Sequence, residues 1–103
     1  MLTDENVQVL RLVIAMVGAV SPNFRRVSLE VVDARKVHLW FLLAHDHSED
    51  REEIDDIAFE FESLQDRGIE LETTILVDAR PVEQLALPGR VVFGRREATP
   101  SRA

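Results

Sequence analysis

From Val9 onward, apolar residues recur at helical spacing: Val9, Leu10, Val13, Ile14, Met16, Val17 and Val20 make one wide stripe. Thr3-Asp4-Glu5-Asn6 supplies a capping hydroxyl and first-turn carboxylates ahead of it. Gly18 and then Ser21-Pro22-Asn23 end it. So wide a stripe predicts a first helix well covered by the rest of the fold. The period then changes to two. Val27, Leu29 and Val31 alternate with Arg26, Ser28 and Glu30, Asp33-Ala34-Arg35-Lys36 reads as a hairpin turn, and Val37 to Ala44 is the return strand. Val37, Leu39, Phe41 and Leu43 share one face of that strand, and His38, Trp40, Leu42 and Ala44 the other. The second face is apolar enough to predict a central strand with part of its back covered.

Helical spacing returns after Ser48, read as an N-cap before Glu49 and Asp50, with Ile54, Ile57, Ala58, Phe61 and Leu64 on one stripe. This second helix runs from about Glu49 to about Gln65, and Gly68 is read as its left-handed cap. Ile69 to Val77 is a third strand, Leu85-Ala86-Leu87-Pro88-Gly89 a loop with apolar anchors, and Arg90 to Gly94 a short edge strand. The order α-β-β-α-β-β predicts an α+β fold: a mostly antiparallel sheet with two helices packed on one face. One domain over residues 1–97 is expected, with 98–103 a flexible tail.

Charge changes this picture most. The chain has 103 residues and a net charge of −7. Asp46 to Asp66 alone holds ten carboxylates and one cation, Arg51, so that segment carries −9 and the remainder +2. The acidity is therefore a property of one helix. On a wheel, Glu49, Glu52, Glu53, Asp56 and Glu60 form a near-continuous ridge. Like charges three and four residues apart cost a few tenths of a kcal/mol per pair. The ridge reads either as a solvated face or as a recognition surface for a basic partner. Nucleic acid as a direct ligand is disfavoured, since phosphate binding needs a basic surface.

Composition excludes several classes. With no cysteine, disulfide frameworks, zinc–thiolate sites and cysteine nucleophiles are absent. Leu10 to Val20 is too short to span a bilayer, and an acidic segment precedes it where a secretory signal would be basic. No membrane association and a cytoplasmic location are expected. His45-Asp46-His47 has i,i+2 spacing, wrong for one helix face, and lacks a separate third ligand, so no metal and no cofactor are expected. Asp46, Ser48 and Asp50 mimic the start of a calcium loop, but Arg51 and Ile57 stand where Gly and a bidentate Glu belong. Carboxylates on an exposed helix lack the burial that would set one apart as a general acid. No phosphate-cradling glycine loop or nucleophile elbow is present, and the chain reads as a non-enzyme. Trp40 is a candidate contact residue or a packing residue. Arg25-Arg26 and Arg95-Arg96 read as solvated, candidate counter-charges for the acidic helix.

Several stretches carry a resemblance. They are Val20-Ser21-Pro22-Asn23-Phe24-Arg25-Arg26-Val27, the strand Val37-His38-Leu39-Trp40-Phe41, the Ser48-Glu49-Asp50 helix start, and the closing Leu87-Pro88-Gly89-Arg90-Val91-Val92-Phe93-Gly94-Arg95-Arg96-Glu97. In this layout the chain resembles immunity proteins of bacterial contact-dependent growth inhibition and related interbacterial toxin systems. The resemblance implies a cytoplasmic inhibitor that binds the toxic C-terminal domain of a cognate effector, often a nuclease. The expected contact residues are Glu49, Glu52, Glu53, Asp56 and Glu60, with Trp40 and His47 as anchor or rim. The alternative is a small homodimeric sensor or assembly domain that pairs through an exposed strand edge, Arg90 to Gly94 or the third strand, and has no toxin partner.

Overall fold

A computed structural model describes residues 4–97. The elements are α1 (Asp4–Met16), β1 (Phe24–Asp33), β2 (Lys36–Leu43), α2 (Ser48–Ser63), β3 (Glu70–Val77), a 3₁₀ turn at Val82–Gln84, and β4 (Arg90–Gly94). The sheet order is β3-β2-β1-β4. β1 pairs antiparallel with β2 and with β4, and β2 pairs parallel with β3. The fold is thus the expected α+β arrangement, with a mixed, mostly antiparallel sheet. The parallel pair follows from the α2 crossover, since a chain that returns through a helix re-enters the sheet in its original direction.

Alternation decides which side is the core. Val27, Leu29, Val37, Leu39, Phe41 and Leu43 are buried on the front face, where they meet Leu12, Ala15 and Met16 of α1 and Ile54, Ile57 and Phe61 of α2. Phe24 and Phe41 pack edge to face, 6.3 Å between ring centres. α1 lies over β1 and β4, and α2 lies beside it on the β3 side. Gln8 and Arg11 of α1 reach Gln65 just past the end of α2, each at 2.9 Å, and tie the helices together.

The back face is half covered, as the apolar pattern of β2 requires. After β3 the chain returns across it, and Leu85 and Leu87 line a hollow with Leu42 and Leu76. The buried Ser28 hydroxyl donates to the Pro88 carbonyl at 2.9 Å, fixing where the crossing ends. Gly89 closes it with φ +85.

Four expectations need correction. α1 is not well covered: Leu10, Val13 and Ile14 are exposed, Ile14 by 53%, and so is Val17 just past its end. A stripe this wide exceeds what one sheet and one neighbouring helix can bury. Ser48 is the first helical residue rather than the cap. The N-cap is His47, without a side-chain cap bond, and the chain entry is held instead by Asn23. Gly68 is not a left-handed cap: α2 ends at Leu64 in right-handed geometry, and the positive-φ glycines are Gly18 and Gly89. Arg25 is not solvated but 4% exposed. A register irregularity between Phe24 and Arg26 inserts an extra residue, which turns Arg25 into the fold. The expected cap Thr3 and the tail 98–103 lie outside the described residues.

Candidate functional site

α2 is an amphipathic helix whose core stripe is clean and whose other faces are almost wholly acidic. Asn23 organises its start. Its Nδ2 donates to the Asp50 carboxylate (2.8 Å) and to the His45 carbonyl (2.7 Å), while its Oδ1 accepts from the His45 amide (2.9 Å). Asp50 is buried in the first turn, where the helix dipole favours a negative charge. Asp46 pairs with Arg51 at 2.6 Å, and that hydrogen bond holds its carboxyl below the usual range. Asp66 pairs with Arg11 at 3.2 Å. These contacts account for three of the ten carboxylates in this segment.

The other seven are Glu49, Glu52, Glu53, Asp55, Asp56, Glu60 and Glu62. All are exposed, and among the described residues none makes an ion pair or a side-chain hydrogen bond. At about 100° per residue, Glu49, Glu52, Glu53, Asp56 and Glu60 fall on the flank turned away from Gln65. Gln65 marks the α1 side, so the predicted ridge faces the β3 side of the molecule.

One residue of this surface escaped the pattern reading. Phe59 is 76% exposed. It stands one turn from Asp55, Asp56 and Glu62, so carboxylates border an aromatic ring in the middle of the helix face. Its signal in the sequence is a large apolar residue two positions from Ile57 and from Phe61, off the core stripe on both sides. Aromatic residues, phenylalanine among them, are enriched at protein interfaces relative to the rest of the surface.

The structure does not bring the remaining predicted contacts together. His47 is exposed at the start of α2, near the ridge. Trp40 lies on the opposite, back face of the sheet, opposite Ser28 on β1 and Thr74 on β3. It is half-buried, stacked on His38 at 3.7 Å and 7°, under the chain at Gly89. His38 in turn contacts Glu72 through Nδ1 (3.0 Å) and Thr74 through Nε2 (2.7 Å). This carboxylate–imidazole–hydroxyl chain has hydrolase-like spacing, but it lies flat on a sheet. The even-numbered β3 amides lie in the sheet plane and point at β2, so among the described residues β3 itself offers no amide pair above Thr74 for an oxyanion.

His45-Asp46-His47 is engaged with Asn23 and Arg51, and among the described residues no group of three or more His, Cys, Asp or Glu is arranged to hold a metal ion. Arg25 is not a counter-charge for α2. It donates to the carbonyls of Asp78 and Arg80, each at 2.7 Å, and to Glu97, which Arg95 also holds at 2.8 Å. Those two arginines hold the Glu97 carboxyl below its usual range, Arg25 contributing most.

α2 thus presents seven unpaired carboxylates and one exposed phenylalanine on the faces turned from the core. A family profile described as MafI2 immunity protein matches residues 6–97. The chain belongs to the MafI2 immunity protein family. The immunity character that the sequence resemblance implied is therefore shown, within this particular family. Immunity proteins act by binding a cognate toxin, and such families are generally non-enzymatic. The matched range takes in α1 from Asn6 onward, α2 with its acidic face, and all four strands. No curated protein matches the chain. Among the described residues, no helix is long and apolar enough to cross a membrane.

Proposed function

We propose that the chain binds and neutralises the toxic C-terminal domain of a cognate interbacterial effector, in contact-dependent growth inhibition or a related system. The binding face is α2. Glu49, Glu52, Glu53, Asp56 and Glu60 attract a basic domain, of which a nuclease groove is the natural example, and Phe59 inserts at the centre. His47 lies at the rim. Trp40 packs on the other sheet face and is left out of this contact. The observation that carries the reading is the set of seven unpartnered carboxylates on a helix face that also exposes Phe59, three of them one turn from its ring, on a chain of an immunity family. Unpaired like charges cost stability, and a basic partner recovers that cost on binding.

The test is co-purification with the cognate toxin domain, followed by charge reversal of Glu52, Glu53 and Asp56 to Lys and, separately, Phe59→Ala. The reversal should lower affinity by at least about 100-fold and flatten its salt dependence. Phe59→Ala should cost about 2 kcal/mol of binding with the salt dependence intact. A complex whose affinity and salt response ignore both changes would sink the acidic-face reading.

A second reading, a homodimer without a toxin partner, draws on the exposed Leu10, Val13 and Ile14 of α1 and Val17 just after it. Sedimentation equilibrium of the isolated chain separates the two: a two-chain mass that Ile14→Lys abolishes favours the dimer.

A further inference from the structure

The sheet has two outer edges, and they are treated differently. β4 is five residues long, enters from Pro88-Gly89, and pairs with β1 through a register irregularity between Val27 and Ser28. Its Arg90 reaches Glu5 at 2.8 Å and Asn6 at 2.5 Å, drawing the start of α1 towards that edge. These are the usual devices that blunt an edge. β3 has none of them. It runs for eight residues, Glu70–Val77, in unbroken register with β2, with no proline, lysine or bulge.

The hydrogen bonds show which groups of β3 remain open. The Glu70 amide donates to the Arg35 carbonyl at 2.6 Å, and the Asp78 amide to the Leu43 carbonyl at 3.0 Å. In a parallel ladder the residues that bond one neighbour alternate with those that face away. Even-numbered residues therefore face β2. Leu71, Thr73, Ile75 and Val77 turn their amides and carbonyls outward, and among the described residues no strand takes them. Thr73 itself is exposed.

The surroundings of this edge are negative. On the front side the acidic flank of α2 is turned toward it. On the back side stand Glu70, paired at 3.7 Å with Lys36, and Glu72, paired with His38. A second copy of this chain would bring the same carboxylates against themselves, so self-pairing is opposed. A basic strand is favoured on both sides of the sheet.

We infer that the outer edge of β3 is a strand-docking site for an extended, Lys- or Arg-bearing segment of the toxin domain, which pairs with the open amides and carbonyls of Leu71, Thr73, Ile75 and Val77. The inference rests on the toxin-binding reading above and adds to it a backbone-mediated contact that α2 alone does not make.

Thr73→Pro tests it. Proline is tolerated on an edge strand when its missing amide faces solvent, so the β2 ladder is untouched. Thr73→Lys adds a gatekeeping charge at the same exposed position and decides the matter if the proline variant fails to fold. With the cognate toxin domain, catalytically inactivated, each variant should lose affinity by about tenfold or more. Hydrogen exchange should show the amides of Leu71, Thr73, Ile75 and Val77 open in the free chain and protected in the complex. If a complex forms but neither variant weakens it and these amides gain no protection, the edge proposal falls while the toxin reading stands. If the wild-type chain forms no complex, both fall. A concentration-dependent dimer of the free chain that Thr73→Pro abolishes would make a second copy the occupant and overturn the proposal.

Discussion

Gly89 shows how one residue sets a chain crossing. Its backbone is left-handed at φ +85, and a Cβ there would lie 2.8 Å from the Leu29 carbonyl oxygen and 3.3 Å from Trp40 Cζ3. Gly18 has a similar φ, +78, but nothing within 4 Å. Gly18→Ala should therefore cost only the backbone term, about 1 kcal/mol, and Gly89→Ala about 3 kcal/mol, because a main-chain oxygen cannot step aside. Paired denaturant melts measure the difference. Arg25 makes a second residue-scale case. Its guanidinium is buried, and Glu97 is its carboxylate partner. Glu97→Gln should cost about 3 kcal/mol at neutral pH, the lower end for a broken buried pair, since two carbonyls still hold Arg25. The sign with pH follows from the lowered carboxyl. The unfolded chain binds this proton more readily, so the stabilisation is complete above the unfolded value near 4.5 and is lost as pH falls through the lower folded value. Thermal melts between pH 6 and 3 should show the wild type losing stability more steeply than Glu97→Gln.

At the scale of elements, the burial of α2 and the exposure of α1 give opposite expectations for changes of similar size. Ile57→Ala removes a fully buried side chain between helix and sheet and should cost about 3 kcal/mol. Ile14→Ala, on the solvent side of α1, should stay within about 0.5 kcal/mol, and chemical denaturation separates the two. The elements themselves were legible because each carries its period: 3.6 through Val9 to Met16 and Ile54 to Phe61, and two through Val27 to Val31 and Val37 to Leu43. β4 was placed at its observed bounds, and the apolar back of β2 foretold its cover. What periodicity cannot report is how much of a face the neighbours cover, and this explains the misreading of α1. Nor does it report a bulge, so the extra residue that buries Arg25 left no trace in the alternation. The capping rule failed at Ser48 because Asn23, more than twenty residues earlier, already holds the entry to α2. The acidic ridge was legible from charge alone. Phe59 is harder to see, because a single apolar residue off the core stripe leaves the helical period unchanged.

At the scale of the molecule, unpaired negative charge is unevenly spread across the sheet. The ridge carboxylates of α2 and the Glu70 and Glu72 side chains belong to the β3 side, where Lys36, Arg51 and Arg80 are each paired with a carboxylate, while Arg90, Arg95 and Arg96 belong to or follow β4 at the other edge. A chain with net charge −7 and its negative charge gathered on one side attracts a basic domain from a distance and turns that side toward it. Such steering acts before contact, so it belongs in the association rate. Reversing Glu52, Glu53 and Asp56 to Lys should slow association by about tenfold to a hundredfold at low salt, and the deficit should shrink as ionic strength rises and the Debye length falls to about 8 Å. Net charge alone would produce some of this, so the control is reversal of three exposed acids off the ridge: Asp4, Glu30 and Glu83. That variant has the same net charge as the ridge variant, but steering that depends on position leaves it much closer to wild type. Stopped-flow association with the toxin domain across a salt series distinguishes the two. Equal slowing in both variants would mean that the toxin responds to overall charge and that α2 has no privileged place in the encounter.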